Sequence, residues 1–169
     1  MKKVIVTIIL IFVSFILQCT VFRALAIQGI VPNVLIILTA CAGFMQGERM
    51  GVFTGFFCGL LLDIFFFDIL GLYSLIYMYI GYMNGLFHNI FYPDDVKLPL
   101  IMITVSDLVY SFVVYILTFL LRSRFDLGYY FLNIILPELV YTIFIAVIMY
   151  PILLLSTGLF KKRTVVKEE

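Results

Sequence analysis

Val4 to Phe22, Ala24 to Gly47 and Ile69 to Pro93 contain no Asp, Glu, Lys or Arg, and two further apolar stretches contain one acid each. Leu98 to Leu121 is interrupted only by Asp107, and Leu127 to Phe160 only by Glu138. A bilayer core of about 30 Å is crossed by about 20 apolar residues in a helix, whose backbone polar groups pair internally. A sixth apolar stretch, Met50 to Leu70, carries Asp63 and Asp68. Six spans in 169 residues leave no room for a soluble domain. The chain therefore reads as a single all-α integral membrane domain. Its spans are expected at about 4–22, 32–46, 51–70, 71–91, 98–121 and 136–159, with a short tail at 160–169. The 64% hydrophobic and 12% charged composition agrees, since soluble domains hold about 25% charged residues.

Charge distribution gives an orientation. With a cytoplasmic N-terminus, Lys2, Lys3, Arg49, Lys97, Lys161, Lys162, Arg163 and Lys167 fall inside, and Arg23, Arg122 and Arg124 fall outside. Basic residues collect on the untranslocated side, so both termini are expected in the cytoplasm of a multi-pass inner-membrane protein. The bilayer is the one certain partner, and no basic groove suggests nucleic acid. Ala24-Leu25-Ala26 imitates a signal-peptide cleavage site, but the preceding apolar run is longer than such signals use. It reads as a retained span.

Asp63, Asp107 and Glu138 each lie inside a span. A carboxyl group facing lipid there costs several kcal/mol, so such residues face protein, water or a partner. Together with Asn84 and Tyr141 they form the candidate interior polar pocket. Two readings stay open for the acids: neutral groups hydrogen-bonded to facing helices, or the lining of a cavity that takes a ligand or partner segment. Gly47, Gly51, Gly55 and Gly59 recur every four residues and lead to Asp63. Such a ladder admits a second helix at close range. It is either packed within the chain or offered to a partner helix, a second copy included. A further small and polar stripe, Tyr73, Tyr77, Gly81, Asn84, Gly85 and His88, follows helical spacing.

No catalytic set presents itself. A single histidine rules out a two-His metal site, and neither a Gly-x-Ser-x-Gly turn nor a phosphate-binding glycine loop occurs. Cys19, Cys41 and Cys58 lack metal-ligand spacing and read as buried small hydrophobes. No enzyme activity, cofactor or metal is expected. The 34 residues of Leu127 to Phe160 would run about 50 Å as one upright helix. Part of Tyr129 to Ile135 is therefore expected along the outer membrane surface, with Tyr129 and Tyr130 at headgroup level.

Several motifs carry a family resemblance: Pro32-Asn33-Val34-Leu35, Gly47-Glu48-Arg49-Met50-Gly51, the run from Gly55 to Asp63, Gly71-Leu72-Tyr73-Ser74-Leu75, Ile80-Gly81-Tyr82 and Pro137-Glu138-Leu139. With the length and span count, the pattern resembles the rod shape-determining protein MreD family. The resemblance implies a non-catalytic inner-membrane subunit of the cell-elongation machinery that builds side-wall peptidoglycan. Its implied partners are the bitopic MreC scaffold, MreB filaments and the RodA–transpeptidase synthase. It implies a fold similar to the substrate-binding S components of energy-coupling-factor transporters. An S component binding a vitamin or metal is the alternative function. Against it, the first span offers only Thr7, Ile11 and Phe15 where S components carry an alanine patch.

Overall fold

The computed structural model describes residues 2–26, 29–66, 70–90, 95–122 and 127–156. Every element among them is helical. Helix α1, Lys2–Leu17, continues through a π turn, Gln18–Phe22. Then come α2, Val34–Gln46, α3, Glu48–Phe66, and α4, Leu72–Leu86 with a 3-10 turn Phe87–Ile90. Helix α5 is Lys97–Arg122. The last helix, α6, runs as a turn Leu127–Tyr130, a π turn Phe131–Ile135 and a long segment Leu136–Ser156. Four stretches are long and apolar enough to cross a membrane: Val4–Phe22, Glu48–Phe66, Lys97–Leu117 and Gly128–Ser156. The expected tail and the expected loop at 123–126 lie outside the described residues.

Helix α2 is the axis of the bundle. It touches all five other helices, and every residue from Val34 to Met45 is buried. Its 13 residues span only about 20 Å, so unpaired backbone groups at its ends would sit inside the bilayer. Side chains satisfy several of them. At the N-terminus the Ile36 N–H donates to Asn33 Oδ1 at 3.3 Å and the Leu35 N–H to Gln18 Oε1 at 3.1 Å. At the C-terminus His88 Nδ1 donates to the Phe44 carbonyl at 2.8 Å. There Gly47, with φ +94°, turns the chain directly into α3.

Helices α3 and α4 form the tightest pair. A Cβ at Gly51 would collide with the Gly81 carbonyl oxygen, at Gly55 with that of Tyr77, and at Gly59 with Ser74 Cα. Gly43 of α2 closes on Gly81 and Gly85 from the third side. The ladder from Gly51 to Gly59 is thus occupied inside the chain. Its closeness comes from backbone contact, because lipid tails are as apolar as the helices and supply no hydrophobic drive.

The fourth helix with its 3-10 turn covers residues 72–90, close to the expected 71–91. One departure from the expected spans concerns α6. The segment before Pro137 continues the last helix as a π turn rather than forming a separate surface segment. The proline ring would clash with the carbonyl four residues earlier, at Asn133. A widened turn spanning Phe131 to Ile135 takes up that misfit while keeping the helix continuous.

The outward faces are apolar. Ile5, Ile8, Ile9, Phe12 and Ile16 of α1 and Phe144, Val147, Ile148 and Ile152 of α6 are exposed. Thr7, Ile11 and Ser14 turn inward on the opposite face of α1. Such an inside-out surface suits lipid as solvent.

Candidate functional site: an acid-walled cavity

Asp63 is fully buried and its carboxylate is fully engaged, though not in the expected pocket. Oδ2 accepts from the Gly71 N–H at 3.0 Å, the Ser74 N–H at 3.0 Å and the Ser74 hydroxyl at 2.6 Å; Oδ1 accepts from the Tyr73 N–H at 3.0 Å. These donors open α4, where backbone N–H groups lack helical partners and the macrodipole favours negative charge. Gly71, at φ +99°, supplies the left-handed turn that folds the chain back onto the acid. Asp63 is thus a helix cap delivered from the preceding helix.

Asn84 also lies apart. Its Nδ2 donates to the Ile80 carbonyl at 2.8 Å and to Ser106 Oγ at 2.7 Å, joining α4 to α5. It borders a separate apolar groove of about 300 Å³ between those helices, with Tyr79, Met83, Met102 and Val105. Tyr141 donates from its hydroxyl to the Leu25 carbonyl at 3.3 Å, pinning the segment after α1 to α6. The five residues expected in one interior pocket therefore occupy several places.

Asp107 and Glu138 do belong together. They lie on α5 and α6 within electrostatic reach of each other. Asp107 is 1% exposed, and neither of its carboxylate oxygens meets a hydrogen-bond partner. The Thr142 hydroxyl lies alongside it, outside hydrogen-bond geometry, and its oxygen accepts the Asn33 N–H at 3.1 Å. Asn33 Oδ1 also takes the Tyr77 hydroxyl at 2.8 Å, so one asparagine ties α2, α4 and α6. The Tyr77 ring stands edge-on to Tyr110, with centroids 5.4 Å apart.

Glu138 opens onto a cavity of about 580 Å³. Its other walls are Gln18, Cys19 and Arg23 at the end of α1, Ala26, Gly29, Val31 and Asn33 ahead of α2, Leu62 and Phe66 of α3, and Tyr110 of α5. The π turn of α1 brings Gln18 and Cys19 both to this wall. The volume falls within the range of small-molecule sites. Sequence reasoning passed over Gln18, Tyr110 and Thr142. Helical spacing offered a signal for the last two, Tyr110 standing three residues after Asp107 and Thr142 four after Glu138.

Of the residues that carried the family resemblance, Asn33 is at the polar junction, Gly71 at the turn, Gly81 at the α3–α4 contact, and Pro32 is buried beside the cavity wall. Glu48 and Arg49 are exposed at the start of α3. No curated protein matches this chain, and neither does any solved structure. The family model for rod shape-determining protein MreD matches residues 1–160 of the 169. A helical membrane bundle matched over nearly its whole length belongs, on that ground, to the rod shape-determining protein MreD family, whose role is in determining rod shape.

Proposed function

We propose that this protein is a non-catalytic subunit of the cell-elongation peptidoglycan machinery, and that it binds an MreC-like bitopic scaffold through the acid-walled cavity. The observation that carries the reading is that cavity: large enough for several side chains, and walled by Glu138 without any ion pair among the described residues. A bitopic protein has a membrane-proximal segment at each face, which is the kind of occupant an interhelical cavity at one end of a bundle can take. The system would extend to MreB filaments and the RodA–transpeptidase synthase through the scaffold. Six helices around a ligand-sized cavity also support the likeness to S components.

The basic-residue bias supports an inner-membrane setting with both termini cytoplasmic. The cavity, at the end of the bundle holding Arg23 and Asn33, then opens to the outer face.

The test is depletion and purification from the native membrane. Loss of the protein should round rod-shaped cells, and the tagged protein should recover the scaffold by name in mass spectrometry. Rounded cells with no scaffold recovered would defeat the binding claim, and recovery of a transport ATPase instead would favour an S component.

A further inference from the structure

Glu138 and Arg23 are the charged side chains on the cavity wall among the described residues. Tyr110 lies on the same wall, and Asp107, one turn earlier on α5, is off the wall but within electrostatic reach of Glu138. Asp107 is buried with both oxygens unpartnered, and no basic side chain among the described residues pairs with either acid. By contrast, Asp63 has four donors and Asn33 bonds three elements. A buried Asp107 without a hydrogen-bond donor, near a half-buried Glu138 on the wall of an open cavity, concentrates acid where a cation brought by a partner would offset it. The Arg23 side chain, also on the cavity wall, is exposed and makes no ion pair there.

We infer that the cavity receives a lysine or arginine side chain from the scaffold's membrane-proximal segment, and that Glu138 meets this cation while Asp107 adds negative field from behind. The inference rests on the scaffold-binding reading above and names the chemistry of what enters. A cation on a carbon stem fits both halves of the wall. Its methylenes lie against Val31, Leu62 and Phe66, and its head reaches the acid and the Tyr110 hydroxyl. In a low-dielectric site such a pair holds its geometry, and removing one charge strands the other. The contact fixes the scaffold in one register, which a purely apolar plug would not do.

The experiment compares scaffold recovery by the full-length chain at matched membrane abundance. Glu138→Gln keeps the shape and has no internal hydrogen bond to lose; it should reduce recovery at least about tenfold. Glu138→Asp should restore much of it. Arg49→Gln, exposed at the start of α3 and away from the cavity, should leave recovery within about twofold. Ala26→Trp fills the cavity and should abolish recovery whatever the charge. On the scaffold side, changing each Lys and Arg of its membrane-proximal segment to Met should yield one variant with the Glu138→Gln loss, a result independent of how this chain tolerates substitution. Loss with Ala26→Trp but full recovery with Glu138→Gln would leave the cavity as binding site and overturn the cation. Equal losses for Arg49→Gln and Glu138→Gln would show a loss not specific to the cavity acid and overturn it as well. No basic residue of the scaffold mattering would do the same. Absence of the scaffold from the wild-type preparation would overturn both readings.

Discussion

Asp63 and Asp107 are both aspartates buried within apolar helices, yet their surroundings assign them opposite work. Asp63 accepts four hydrogen bonds from the start of α4, and charge-assisted bonds at a helix N-terminus are among the stronger ones. Asp63→Leu should therefore destabilise the fold by about 3 kcal/mol or more, by analogy with other buried network losses. Asp63→Asn should cost less, since its carbonyl oxygen can still accept part of the set. Thermal unfolding in detergent measures both, and an unchanged midpoint for Asp63→Leu would refute the cap. Asp107 has no such bonds to lose. Asp107→Asn should accumulate normally in the membrane, and if the negative field matters it should fail to sustain rod shape in cells depleted of the native protein. Full shape rescue by Asp107→Asn and by Asp107→Leu would show that the acid is dispensable.

At the scale of elements, the glycine ladder was legible as a close helix contact, but its partner was not. Spacing tells which face is smooth; it does not tell which helix lies on it. The structure answers with α4, whose own Gly81 and Gly85 are reciprocal contacts. Gly55→Leu or Gly59→Leu should consequently lower membrane abundance severalfold by disrupting the fold, as overpacking at a backbone contact forces helices apart. Phe56→Leu, on the exposed side of the same helix, should leave abundance unchanged. Immunoblots of membrane fractions distinguish the two. Normal abundance of Gly55→Leu with selective loss of a partner would contradict internal packing. The polar stripe from Tyr73 to Gly85 was legible too, and it does face inward. Grouping Asp63 and Asn84 with Asp107 failed for a physical reason: sequence reveals that an acid needs a donor, but not that its donors come from the turn eight to eleven residues later.

For the whole molecule, composition made the membrane class plain, and long uncharged runs marked the helices. What they could not give is that the short α2 is buried among the other helices. A 13-residue helix surrounded on all sides can stop short of the bilayer surface, because its neighbours and capping side chains complete what lipid would not. The topology proposed from the charge bias can be tested. Single cysteines at Ala24 and at Glu48, both exposed positions, should in a cysteine-free background label from opposite faces of intact cells and inverted vesicles. Labelling of both from one face would overturn the six-span arrangement.

The account turns on the cavity's being the place where the scaffold enters. A photo-cross-linking side chain at Val31, on the cavity wall, and one at Val147, on the lipid-facing side of α6, put that to the most direct test in living cells. The expected result is an ultraviolet-dependent adduct of Val31 with the MreC-like scaffold, its site in the scaffold's membrane-proximal segment, and none from Val147. An adduct with the scaffold from Val147 and none from Val31 would place the interface on the outer surface of the bundle and contradict the account.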